Sequence, residues 1–338
     1  MPQGGADGLK ALLRRPVARV DGAVQRLSQR EGGLAALFHR VGDPQQTWDD
    51  GKYPRLGPQF FEAQLRHLME RYRVVAASEL IEAVRRRRRG EPFPVAITFD
   101  DDSPSHVSHA APILQRLGVP ATFFVSGASL DGPRSFWWQR LERAMERGAI
   151  GREELSEMVP AASAVPAGLR KMQQIADDIE LMTPEQLRDL LDELGRRAGP
   201  DPEDAVLDAA GLRKLVAAGF DIGFHTLRHL NLSTLDSAEL GLAMSEGRDR
   251  LEEAIDRELT LIAYPGGKWN PHVLDAARGA GFLRGFTTEP RAVLPDSDPL
   301  CLGRVDPGWC TSLGQVELSL TRALRRDDGL RLGEATGA

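Results

Sequence analysis

The chain has 338 residues, 41% of them hydrophobic and 27% charged, with 43 Lys and Arg against 49 Asp and Glu for a formal net charge of −6. That composition excludes a disordered, collagenous or disulfide-stapled chain, and its net acidity argues against a nucleic-acid partner. No stretch approaches the roughly 20 apolar residues of a membrane span, and the length leaves two domains or one large α/β barrel open.

Residues 1–30 read as an N-terminal extension, and Met1 to Val20 lack the apolar core of a secretory signal, so a cytoplasmic location is expected. Short β-type runs then alternate with helical patterns, the mark of an α/β chain with parallel strands. The strands are expected at Leu34–Phe38, Arg73–Ala76, Val95–Phe99, Ala121–Val125, Phe220–Phe224, Leu259–Ala263 and Gly285–Thr288. Phe61, Leu65, Leu68 and Met69 give Phe60–Tyr72 a helical period, and a second helix ends at Gly118. The five arginines Arg85–Arg89 suit a solvated helix C-terminus, whose dipole favours positive charge. Residues 131–208 are helical and charged and carry Phe136-Trp137-Trp138, which predicts a helical insertion between two strands. A single helix is expected from Ser237 to Arg257, opened by an Asp236/Glu239 capping pair. The frame is therefore one barrel over 31–315, followed by a C-terminal helix and tail over 316–338. Cys301 and Cys310, nine apart, fit no zinc knuckle or redox pair and read as structural thiols.

Chemistry concentrates where strands end. Val95–Phe99 runs into Asp100-Asp101-Asp102, three acids whose mutual repulsion calls for an offsetting positive group. Phe220–Phe224 delivers His225-Thr226-Leu227-Arg228-His229, with two histidines at i and i+4 able to face one point. No Glu follows the first histidine, so the metalloprotease arrangement is absent. Two histidines and one carboxylate would make a three-ligand hydrolytic zinc site. Leu259–Ala263 leads to Tyr264-Pro265-Gly266-Gly267, a turn that lets a backbone N–H approach a substrate as an oxyanion donor must.

Taken together, these residues resemble the polysaccharide deacetylases, carbohydrate esterase family 4 with its chitooligosaccharide-deacetylase homology domain. Ile97-Thr98-Phe99-Asp100-Asp101, His225 to His229 and Ala263 to Gly267 are similar to its three motifs in order, and Gly118 to Val125 is also typical. The resemblance spans about residues 34–310. It implies a distorted (β/α) barrel, a divalent metal with zinc first, and an N-acetylated carbohydrate substrate. Asp100 would be the base, Asp101, His225 and His229 the ligands, and the Gly266 N–H an oxyanion donor. The family's late Leu-x-His acid has no counterpart, because no histidine follows His272. Leu37-Phe38-His39 resembles the first strand of circularly permuted members and would make His39 the acid, with His106 and His109 as surface or supporting rivals. Arg304 would hold the base in place of the family's usual arginine. The insertion resembles that of a subgroup associated with surface-polysaccharide synthesis. Asp102 stands where the family has Gly, open to metal binding or solvent, and Gly266 replaces an aromatic; Trp269 or Trp309 is left to stack on a sugar. A non-catalytic carbohydrate-binding protein and a zinc amidohydrolase acting on a non-sugar amide or formamido group are the alternatives.

Overall fold

Seven strands form where apolar runs predict them, in a computed structural model that describes residues 31–42, 55–132, 134–161, 172–202 and 205–325. In chain order they are β1 (Leu34–Phe38), the two-residue β2 (Arg40–Val41) and β3 (Arg55–Leu56), β4 (Arg73–Val75), β5 (Pro94–Phe99), β6 (Thr122–Val125), β7 (Asp221–Phe224), β8 (Leu261–Ala263) and β9 (Arg284–Phe286). β2 and β3 pair only with each other, while the remaining seven make one parallel sheet. β1 lines one edge of β5, and the other edge is shared by β4 at its start and β6 at its end. From β6 the order continues β7, β8, β9. The sheet curls into a half-barrel, and residues 302–305 bridge its open side. Leu302 pairs with Phe286 and Val305 with Ala36, and the Val305 N–H donates to the Ala35 carbonyl at 2.8 Å.

Both faces of these strands are buried, as the near-continuous hydrophobicity of parallel strands requires. Leu34, Ala36, Val95, Ile97, Phe99 and Phe123 pack outward beneath the surrounding helices. Ala35, Ala96, Phe124, Ala263 and Phe286 alternate with them and fill the interior. The helix Leu313–Arg325 buries Val316, Leu320 and Leu324 in the outer layer, so the C-terminal helix packs as part of the barrel wall.

Between β6 and β7 the chain forms the helices Trp137–Glu146, Arg152–Met158, Met172–Glu180 and Pro184–Ala198, which share an apolar cluster of their own. The helix Ala209–Ala217 returns to the barrel, with Leu212 and Leu215 in its outer layer. Among the described residues no helix is long and apolar enough to cross a membrane.

Two expectations need correction. The helix expected over Ser237–Arg257 is two helices, Ser237–Ser245 and Arg248–Ile255, because Gly247 takes a left-handed conformation (φ 78°). The Asp236/Glu239 capping box does open the first. The arginine run is not uniformly solvated either. Its helix ends at Arg86, and Arg87 turns inward, lays its guanidinium 3.8 Å from the Phe93 ring centre and donates to the Glu91 carbonyl. The segments 1–30 and 326–338 lie outside the described residues.

Candidate active site

The acid run sits at the C-terminal end of β5, and its three carboxylates have three different environments. Asp100 is buried and meets Arg304 in a fork, Nη1 to Oδ1 and Nη2 to Oδ2, each at 2.6 Å. Burial alone would raise its carboxyl; the Arg304 guanidinium, with His225, more than offsets this and holds it below the ordinary range. Arg304 in turn donates Nε–H to the Thr287 carbonyl at 2.8 Å, so its side chain is fixed at both ends.

Asp101 points elsewhere. Its backbone is left-handed (φ 67°), and Thr226 (φ 50°) and His229 (φ 48°) share that uncommon conformation. Side chains with a Cβ pay for such backbone, and functional sites are where that strain collects. Here it falls in the two loops, after β5 and after β7, that carry Asp101 and the histidine pair. His225 and His229 do not converge as neighbours on a helix. They converge through a turn after β7, closed by the His229 N–H to the Thr226 carbonyl at 3.4 Å.

The Asp101, His225 and His229 ligand atoms lie within 4.8 Å of one another, and all three residues are buried. Asp101 Oδ1 stands 3.6 Å from His225 Nε2 and 3.5 Å from His229 Nε2, longer than normal hydrogen bonds and natural for ligands around a common centre. Two further observations make the trio fit a divalent cation. Asp101 Oδ1 is buried without a hydrogen-bond donor. His225 Nδ1 lies 2.8 Å from the Ala263 carbonyl, which can only accept, so Nδ1 carries a proton and Nε2, on the Asp101 side, is the ring nitrogen left for a cation. Burial would raise the Asp101 carboxyl, and the surrounding histidines override it and hold it well below the ordinary range.

Asp102 takes neither position left open for it. It faces neither the trio nor solvent: it is 1% exposed, and its oxygens accept from the Ser126 N–H (2.6 Å), the Ser126 hydroxyl (2.6 Å) and the Ala128 N–H (3.3 Å). Burial pushes this carboxyl up despite those bonds. Its carbonyl accepts from Leu207 N–H at 2.7 Å, so one residue ties the β5 terminus to both ends of the insertion. Asp102→Ala strips the Ser126 N–H and hydroxyl of their acceptor, while the Ala128 N–H keeps the Ser126 hydroxyl oxygen at 3.0 Å, and it is expected to cost about 2–3 kcal/mol, read from the urea midpoint.

His39 follows β1 and is buried, with Nδ1 3.6 Å from Asp306 Oδ2. Sequence reasoning missed Asp306, although it stands two residues past Arg304, the spacing that puts both on one face of an extended segment. Burial raises its carboxyl, and the nearby His39 charge works against that. His106 is no surface residue: it is fully buried between Phe99 and Phe123, and its Nε2 lies 2.8 Å from the His39 carbonyl. Burial pulls its imidazole down to about 4, which keeps it a neutral donor under the His39 backbone. His109 is on the surface against Ser108.

Tyr264-Pro265-Gly266-Gly267 forms a turn directly after β8. Its bonds are donated by Gly267 to Tyr264 (2.8 Å) and Lys268 to Pro265 (3.2 Å), and Gly266 is left-handed (φ 59°). A Cβ on Gly267 would fall 2.1 Å from the Thr288 hydroxyl oxygen, so the second glycine is sterically required. The insertion closes over the trio: Trp138 stacks on Phe136 with ring centres 4.6 Å apart and meets the His229 ring edge-on at 4.8 Å. A cleft of about 330 Å³ runs on one side, past Asp101, Arg40, Phe136, Trp138 and Gln139. A narrower one on the other side passes His229 and Gly266. Of the two tryptophans considered for stacking, Trp269 donates Nε1–H to Glu289 and packs on the core, while Trp309 is 51% exposed just past Asp306. The thiols are not nucleophiles: burial pushes Cys301 up to about 12 and Cys310 up to about 11.

Known proteins match this fold and these sequence motifs. The structure of the Streptococcus pyogenes deacetylase PplD in complex with acetate superposes with a TM-score of 0.56 at 18% identity, covering 87% of this chain and 99% of that one. A de-N-acetylase from Aggregatibacter actinomycetemcomitans gives 0.55 at 15% identity over 85% and 99%. These likenesses establish the distorted (β/α) barrel. YxkH of Bacillus subtilis (strain 168), which carries the name of a polysaccharide deacetylase, is 31% identical over 103 residues. That stretch is 30% of this chain and spans only 37% of the length of the curated relative. The model of the polysaccharide deacetylase family matches residues 87–181 and 194–284, more than half the chain, and takes in the acid run, the histidine turn and the glycine turn alike. The chain belongs to the polysaccharide deacetylase family.

Proposed function

We propose that the protein is a metal-dependent N-deacetylase that hydrolyses the acetamido group of an amino sugar in a polysaccharide, oligosaccharide or glycan precursor. The observation that carries this reading is the buried Asp101/His225/His229 trio beside an Asp100 clamped by Arg304. Asp101, His225 and His229 would hold a divalent cation, zinc first. Such an ion supplies Lewis acidity for the acetamide carbonyl and acidifies water toward a pKa of ~7.

The chain's own residues do the rest. Asp100 accepts the proton of the attacking water. A carboxylate kept ionised by a bidentate arginine has little proton affinity, so it suits a water that is already acidified. The Gly266 N–H, which takes no part in its turn's own bonds, donates to the developing oxyanion. His39 gives a proton to the departing amine, and Asp306, 3.6 Å from its Nδ1, orients its imidazole. In this reading the first strand supplies the acid, as in circularly permuted members, and Trp309 offers a sugar-stacking face beside it. The aromatic insertion supports a surface-polysaccharide substrate.

Zinc-loaded protein is expected to release acetate from an N-acetylglucosamine oligomer, to carry about one zinc per chain by elemental analysis, and to lose activity to a chelator. Metal-replete protein that releases no acetate from any acetylated oligosaccharide would sink the proposal.

A further inference from the structure

The narrow cleft beside the trio is bounded by Trp137, Glu180, Asn231, Lys268, His229 and Gly266. Its open volume is about 20 Å³, room for one water-sized group and far too little for a sugar ring. Glu180 is the last residue of the insertion helix Met172–Glu180, and Ile179 beside it is buried in the insertion's apolar cluster. The Glu180 carbonyl accepts from Asn231 Nδ2 at 3.1 Å, and Asn231 stands two residues past His229. The helix end is thus pinned to the histidine turn itself. Across the cleft, Gly266 makes room for the carboxylate: a Cβ there would fall 3.1 Å from Glu180 Oε2 and 3.6 Å from Lys268 Cγ.

We propose that Glu180 is a specificity residue whose carboxylate accepts a hydrogen bond from one donor group of the substrate, beside the reacting acetamido group. That donor is a sugar hydroxyl or the ammonium of a glucosamine unit. The volume admits a single such group, and an ionised acceptor binds either more strongly than a neutral one does. The inference rests on the deacetylase reading of the neighbouring trio.

The test is KM and kcat for zinc-loaded wild type, Glu180→Ala and Glu180→Gln on two probes. One is an N-acetylglucosamine oligomer, and the other is the same oligomer with alternate units as free glucosamine. Glu180→Ala is expected to raise KM about tenfold with kcat nearly unchanged. Glu180→Gln keeps an acceptor oxygen: it restores KM if the donor is a hydroxyl, and fails to do so on the amine-bearing probe if the donor is an ammonium. Unchanged KM for Glu180→Ala on both probes overturns the proposal. Should wild type release acetate from neither probe, the deacetylase reading fails for these two oligomers, and calorimetric titration with the glucosamine-containing oligomer still decides the subsite. There a tenfold weaker affinity for Glu180→Ala supports it, and equal affinity overturns it.

Discussion

Asp100→Asn is expected to lower the kcat of acetate release by about 100- to 10,000-fold, the range for losing a positioned general base. KM should stay close to wild type, and the zinc content should remain unchanged. The separation follows from the division of labour in the acid run. Both Asp100 oxygens are engaged by Arg304, whereas Asp101 Oδ1 is the buried carboxylate oxygen facing the two histidines. The amide of asparagine keeps the shape and one acceptor but cannot take a proton from water. Kinetics on zinc-loaded variant protein, with elemental analysis of the same sample, decide the matter. If the variant is fully active, Asp100 is not the base; if it loses zinc and activity together, Asp100 belongs among the ligands. His39→Gln tests the other half of the proton inventory, and it should fail most on substrates whose amine leaves poorly.

Much of this was legible in the chain because it is local. A strand of apolar residues ending in three acids, or in two histidines four apart, places chemistry at a strand's C-terminal end before any tertiary contact is known. What was not legible depends on segments far apart in sequence. Asp100 and Arg304 are 204 residues apart, and their pairing was expected only through the family resemblance, because it takes the closure of the sheet by residues 302–305 to bring them together. Asp102 looked like a spare carboxylate because nothing local says that Ser126 and Ala128 will present three donors to it. Arg87 sat in a run of identical charges, and its inward turn is set by Phe93 and by the end of its helix. His225 and His229 were expected to converge by helical spacing. They converge because Thr226 and His229 accept left-handed backbone, a strain that residue types do not reveal.

Arg304→Met is the substitution with the largest expected effect on stability, about 3–5 kcal/mol, because it leaves the buried Asp100 carboxylate without its partner. Methionine fills most of the arginine's volume, so the loss reports charge and not a cavity. Arg304 is 1% exposed and also holds the Thr287 carbonyl, so the segment that closes the barrel and the carboxylate proposed as the base depend on one side chain. Asp100→Asn alone strands the opposite charge and should cost a comparable amount. In the double variant neither charge is present, and most of the loss should be recovered, a coupling of at least about 2 kcal/mol by urea denaturation. Additive losses would show that the fork contributes nothing beyond its separate halves. The expected pattern separates two uses of the same bond: the double variant regains stability without regaining kcat. Closure of the barrel needs only that the two charges match or both be absent, whereas the proposed proton transfer needs the carboxylate itself.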